Sequence, residues 1–372
     1  MKQGKSLQAL GEELQRQRRL RKDFLADTSS LEMEADTTGA DMRILLDDKV
    51  QTFAISPIAH QQIASRLQIP FRYYQKMQTE YPSLLEENVN GWFSQNPEKR
   101  MLRVLDGKVR AFLSDRYRRL DNLELCAAVL PIIQEMKGAE IASCEVTEAH
   151  LYLKVINKRL KAEVGVGDIV QAGFCLSNSE VGMGSLKVEP LVYRLACKNG
   201  MIIKDFAQKR FHIGKQVEGD GDEAYELYSD ETLQADDKAF FLKVQDTVRC
   251  AVDEAKFQLT VDKLREARKI PIEHDPVRAV EELADKFMLT QAERGDVLRQ
   301  LFMAGDSSRY GLIQAVTAAS QICSDYERAT DLERIGGEIL SAQVPRALLT
   351  DLSHKTGMKN VTPFRPELAM AE

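Results

Sequence analysis

The chemistry most legible in this chain is anion recognition, concentrated between Lys99 and Arg119. That stretch holds eight basic residues against Asp106 and Asp115, with Phe112 and Tyr117 among them. Arginine suits phosphate because its planar fork donates two bonds at once. Aromatic faces stack on bases of any sequence, for roughly 1–3 kcal/mol per base. The candidate phosphate contacts are therefore Arg103, Lys108, Arg110, Arg116, Arg118 and Arg119, and the candidate stacking groups are Phe112 and Tyr117. Lys187, Arg194 and Lys198 extend the groove if their strand lies alongside. The competing reading is a set of internal ion pairs to local acids.

These side chains need a scaffold, and the sequence supplies one. Asp106-Gly107 sits between two alternating runs, the signature of a two-residue hairpin. Period-two alternation puts Leu102, Val104, Val109, Ala111 and Leu113 on a core face, and Arg103, Leu105, Lys108, Arg110 and Phe112 on the other. Arg103 then stands opposite Arg110. Like charges so placed destabilise a strand pair, so a carboxylate, open water or a bound polyanion must offset them.

Other chemistries find less support. Five histidines and six cysteines are widely spaced, without metal-ligand spacing or a Cys-x-x-Cys pair. No metal or cofactor is expected, and the cysteines read as reduced, mostly buried thiols of a cytoplasmic protein. Glu273-His274-Asp275 reads as an exposed turn between prolines. Gly182-Met-Gly184 lacks the third glycine and the βαβ setting of a dinucleotide fingerprint. No Gly-x-Ser-x-Gly motif occurs, so a non-enzymatic reading is preferred. The enzymatic alternative is a metal-dependent nuclease using Asp115 and Glu180, since such sites gather acids from separate strands.

With 372 residues, 44% hydrophobic and 29% charged, the chain has an ordinary globular composition. A net charge of −6 excludes a globally basic binder but not a local basic groove. No apolar run reaches the roughly 18–20 residues of a membrane span, and no secretory signal is visible.

In chain order, residues 5–25 read as a helix with Leu7, Leu10 and Leu14 on one face. The cluster Arg16–Lys22 reads as a solvated face or a polyanion-contacting arm. Residues 27–41 read as a linker. Three helices precede the hairpin, beginning near Pro57, Phe71 and Pro82. Tyr73, Tyr74 and Trp92 there read chiefly as core aromatics. A helix capped by Asp121 or Asn122 follows, then strands near 141–146, 151–156, 169–176, 186–188 and 191–197. The acidic block Glu218–Asp237 reads as a surface loop around Glu218-Gly-Asp-Gly-Asp222. One long helix is expected to about Ala267, then helices at 277–288, 291–303, 309–328 and 331–341. The expected fold class is α+β: a central antiparallel sheet with hairpin, helix and multi-strand core, flanked by helical regions. The expected divisions are 1–43, basic arm and linker; 44–228, α+β core; 229–345, helical region; and 346–372, tail.

Several of these segments resemble a known family. They are Ile69-Pro-Phe-Arg-Tyr-Tyr74, Pro82-x-x-Leu-Leu-Glu-Glu-Asn-Val-Asn90, Arg110–Asn122, Ser177-Asn-Ser-Glu-x-Gly182, Ser185-Leu-Lys-Val188, Arg194, Cys197-Lys-Asn199 and Tyr310-Gly-Leu-Ile-Gln-Ala-Val316. Together they resemble the phage and plasmid proteins grouped under domain of unknown function 932, over most of residues 55–330. This chain has Glu180-Val181 where the family's usual pair is His-Asp or similar. The resemblance implies a mobile-element context, in which uncharacterised proteins often handle DNA. The order hairpin, helix, strands, helix is also similar to ring-forming single-strand annealing proteins. The resulting expectation is a single-stranded DNA-binding protein of phage or plasmid type, with strand annealing in recombination as its activity and a homo-oligomer as an open possibility. A non-catalytic protein-interaction subunit built on the C-terminal helices is the remaining alternative.

Overall fold

The computed structural model describes residues 1–46, 49–117, 119–203, 230–272 and 275–342. Two sheets and their covering helices make up an α+β architecture. The chain opens with α1 (Leu7–Leu20), whose Ser6 side chain accepts the amide of Ala9. Leu10 and Leu14 are buried while Leu7 is exposed, so the apolar stripe is shorter than the sequence spacing suggests. Next come β1 (Lys22–Asp27), a short 3-10 turn, β2 (Leu31–Ala35), β3 (Ala40–Leu46) and β4 (Lys49–Ile55). The stretch 27–41, expected as a linker, thus contributes two strands. Leu31 and Met33 point inward while Glu32 and Glu34 reach out to Arg43 on β3. This is the alternation of a strand with one wet face.

Helices α2 (Pro57–Arg66), α3 (Phe71–Glu80) and α4 (Pro82–Gln95) follow, close to expectation. Tyr74 is wholly buried against His60, whereas Tyr73 and Trp92 are exposed. The hairpin strands are β5 (Lys99–Leu105) and β6 (Lys108–Ser114). Asp106 and Gly107 both take positive φ, 52° and 74°, as a type I′ turn requires. The first sheet runs β1-β5-β6-β4-β3-β2, with only β4 and β6 parallel. Helices α2–α4 cover one face, burying Ile63, Tyr74, Leu85, Val89 and Phe93 against Leu102, Val104, Val109 and Phe112.

The register corrects the hairpin faces. Val104 pairs with Val109, but Arg103 pairs with Ala111, so Arg110 is the extra residue of a bulge. One added residue inverts the parity of everything after it. Phe112 therefore joins the core with Leu102, and Ala111 and Leu113 move to the opposite face beside Met101. Arg103 and Arg110 do not stand opposite each other.

Helix α5 (Asn122–Glu135) leads into the second sheet, β7 (Ala139–Val146), β8 (Leu151–Gly165), β9 (Asp168–Asn178), β10 (Lys187–Arg194) and β11 (Asn199–Ile202). This sheet is antiparallel throughout, in the order β11-β10-β9-β8-β7. The residues around 186–197 form one strand rather than two, and Asn199-Gly200 begins β11. The C-terminal helices are α6 (Asp230–Arg249), α7 (Glu254–Lys269), α8 (Pro276–Phe287), α9 (Gln291–Ala304), α10 (Arg309–Ile322) and α11 (Tyr326–Ser341). The single long helix expected to Ala267 is split. Asp253 caps α7 by accepting the amide of Lys256, which starts a new helix while the apolar spacing runs on. Likewise Asp325 caps α11 and divides the expected 309–328 helix. Helices α1, α5 and α6 pack on Leu151, Leu153, Val155, Phe174 and Leu176. Helices α7–α11 bury Val261, Leu264, Val280, Val297, Ile313, Val316 and Leu332 with Val170, Ala172, Val192 and Met201. Among the described residues, no helix is long and apolar enough to cross a membrane. The loop around Glu218–Asp222, Glu273-His274, Arg118 and the tail 346–372 lie outside the described residues.

Candidate nucleic-acid interface

Arg103 sits at the centre of the hairpin and has no exposure to solvent. Its Nε donates to Asp23 at 3.1 Å and its Nη2 to Asp121 at 2.7 Å. Nη1 donates to the Glu180 carbonyl at 2.9 Å. Burial opposes the charge, but Asp121 and Asp23 more than offset it, and the guanidinium is held above its ordinary pKa. Burial raises the pKa of Asp121 in turn, yet Arg103 and Arg21 override that and leave it below the usual carboxylate value. Arg21 closes the group by pairing with Asp121 and, at 3.7 Å, with Asp23. The bulge removes the expected opposition of Arg103 and Arg110, and the charge of Arg103 is met by carboxylates from β1 and from the cap position of α5. Asp121 is drawn to the arginines and makes no capping bond. Glu180 supplies that bond instead, its Oε1 accepting the Asn122 amide at 2.6 Å while its Oε2 accepts from Arg110.

The network tests the candidates one by one. Arg103 and Arg110 are internal ion-pair partners, and Arg110 Nε is buried without a partner among the described residues. Phe112 is buried, stacked on Phe93 at 5.7 Å with Arg100 over its other surroundings at 5.8 Å. It has no free face for a base. Tyr117 is turned inward, its hydroxyl donating to the Ser179 carbonyl at 2.9 Å, and burial raises its pKa. Lys108, Arg116 and Arg119 are exposed, with Arg119 3.8 Å from Asp23. Lys187 is exposed at the start of β10. Arg194 ends the same strand, seven residues on and therefore about 23 Å away at 3.3 Å per residue. Lys198 lies exposed in the following turn, its carbonyl accepting from the Met1 amine. The three residues are thus spread along a strand of the second sheet and its following turn rather than gathered on the hairpin's own sheet. Glu180 is committed to Arg110 and α5, and Asp115 to Ser114 and the Arg116 amide. The two acids proposed for a nuclease share no partner, and no group of three or more His, Cys, Asp or Glu side chains converges among the described residues.

What the fold does bring together is the hairpin and the N-terminal basic cluster. Arg16 grips Asp106 at the hairpin turn with two bonds, 2.7 and 2.9 Å. Arg21 reaches the Asp23–Asp121 pair, and Arg18 lines a narrow crevice with Arg21, Arg110 and Glu180. The C-terminal end of α1 is thereby fixed against β5–β6, and its remaining cations face outward. Arg18, Arg19, Lys22 and Lys108 are exposed and pair with no carboxylate among the described residues. Arg119 joins this basic region through its 3.8 Å approach to Asp23 on β1, and the exposed Arg116 follows the end of β6 away from the turn. On the β1 face that carries Asp23, Leu25 is 58% exposed, two residues from the Arg119 contact. The signal for this surface was the charge density of Arg16–Lys22; its link to the hairpin depends on pairs about 90 residues apart in sequence.

No family model, no curated protein and no solved structure matches this chain.

Proposed function

We propose that this protein binds single-stranded DNA along the surface formed by Arg18, Arg19, Lys22, Lys108, Arg116 and Arg119, and serves strand annealing in recombination in the cytoplasm. The observation that carries the reading is the convergence of two basic clusters on one exposed surface of a chain whose net charge is −6. Buried acids neutralise Arg103, Arg110 and Arg21, while among the described residues Arg18, Arg19, Lys22 and Lys108 are left to counterions or a phosphate backbone. The preference for a single strand rests on Leu25. An exposed apolar side chain beside cations can receive an unstacked base, which a duplex does not offer. The resemblance to phage and plasmid proteins points the same way. The aromatic platform first expected from Phe112 and Tyr117 forms no part of the proposal.

The test is fluorescence anisotropy with a labelled oligonucleotide, single- and double-stranded, for the wild type and an Arg18→Gln/Arg19→Gln/Lys22→Gln variant. The expected result is tighter binding to the single strand and at least a tenfold loss in the variant with an unchanged melting temperature. Equal affinity of variant and wild type overturns the site, and absence of binding at low salt overturns the function.

A further inference from the structure

A second site lies where the end of β10 meets α7 and α10. A cleft of about 690 Å³ opens there, lined by Arg194, Arg268, Lys269, Ser307, Tyr310 and Gln314, with Asp306 as the one acidic lining residue among the described residues. Its volume falls within the roughly 300–1,000 Å³ of small-molecule sites. The walls are fixed by backbone bonds. Ile272 N donates to Ser307 O and Arg309 N to Ile270 O, both at 2.8 Å, so the segment after α7 is tied to the segment before α10. Gly311 permits this closure. A Cβ there would stand 1.8 Å from the Asp306 carbonyl oxygen, so the Tyr-Gly pair is a packing requirement.

The buried carboxylate of Asp168 organises the cations. It accepts from Arg194 Nε and from the Tyr310 hydroxyl at 2.6 Å, and Arg268 Nη1 approaches at 3.4 Å. The two guanidiniums also lie over the Tyr310 ring, 5.6 and 5.2 Å from its centre. One carboxylate thus positions two arginines and balances one of them. Arg268 is 40% exposed, and its Nε and Nη2 make no bond among the described residues. A half-satisfied arginine fork held rigid beside an open cleft matches a doubly accepting oxyanion. Carboxylates are matched by one such fork. The further donors of Ser307 and Gln314, with Lys269 beside them paired to Glu266 at 2.6 Å, favour an anion with more acceptor oxygens.

We propose that this cleft binds a phosphate group, carried either by a nucleotide-sized ligand or by a nucleic-acid strand. The site shares no residue with the α1 surface and does not depend on the reading given to that surface. Isothermal titration with inorganic pyrophosphate and with a deoxynucleoside triphosphate tests it in the full chain. The expected result is saturable binding that weakens about tenfold or more in Arg268→Gln. Arg268→Lys should recover part of it, since charge returns without the fork. The Arg18→Gln/Arg19→Gln/Lys22→Gln variant should bind both probes like the wild type, which separates this site from the α1 surface. Displacement of the triphosphate by an oligonucleotide in that same variant assigns the phosphate to a strand, and saturation without displacement assigns it to a small ligand; either supports the site. No binding of either probe at millimolar concentration overturns the proposal, as does unchanged affinity in Arg268→Gln with an unaltered melting temperature.

Discussion

Replacing Arg103 with methionine should damage folding before it touches binding. The side chain makes bonds of 3.1 Å to Asp23, 2.7 Å to Asp121 and 2.9 Å to the Glu180 carbonyl, and it is wholly buried. Methionine fills much of the same volume but leaves two largely buried carboxylates facing each other, with Arg21 and, at 3.8 Å from Asp23, the exposed Arg119 as their remaining cations. Breaking a buried pair in this way costs about 3–5 kcal/mol. At about 2–4 °C per kcal/mol for units of 150–250 residues, the melting temperature should fall by about 6–20 °C. Circular dichroism melts of the wild type, Arg103→Met, Asp121→Asn and the double variant form the assay. The double variant should lose less than the sum of the two single losses, because Asp121→Asn removes one of the stranded charges. An Arg103→Met variant that melts within about 2 °C of the wild type would refute the internal-network account and return Arg103 to the list of ligand contacts.

Two further predictions concern elements around that network. His60 is buried, its Nδ1 sharing a 2.8 Å hydrogen bond with the Tyr74 hydroxyl, and burial lowers its pKa from 6.5 to about 4. The unfolded chain therefore binds this proton first as pH falls. The stabilisation is complete above about pH 6.5 and is lost between there and pH 4, roughly 2 kcal/mol between pH 7 and 4.5. Urea melts across that range should show the slope in the wild type and lack most of it in His60→Asn; an identical slope would contradict the assignment. Gly107→Val should destabilise by about 1–2 kcal/mol, since φ is 74° there and a branched side chain resists the left-handed region. A thermal melt indistinguishable from wild type would show that the turn tolerates another geometry.

The parts of this fold readable from sequence were those with local causes. Asp106-Gly107 announced its turn because few residue pairs accept two positive φ angles. The helix starts expected near Pro57 and at 291 also have local causes: Ser56 accepts the Ala59 amide before Pro57, and Thr290 and Glu293 form a reciprocal capping box. The bulge at Arg110 left no such mark, and a single extra residue carried Phe112 from the supposed binding face into the core. The strands β2 and β3 were masked by their acidic, Thr- and Gly-containing surroundings, although Leu31-Glu-Met-Glu alternates as a strand should. The fate of the arginines was not local at all. Arg103 finds Asp23 80 residues away, and Arg110 finds Glu180 70 residues away, so charge density marked the right region while exposure divided its members. The cleft at Arg268 joins residues separated by 100 positions from Asp168, and no spacing rule links them.

The salt dependence of DNA binding tests the central claim most directly. Six outer cations engaging a single strand give a log–log slope of up to about −4, and the Arg18→Gln/Arg19→Gln/Lys22→Gln variant should reduce its magnitude by about 2. A slope near zero, or one unchanged by the three substitutions, would contradict phosphate recognition at this surface.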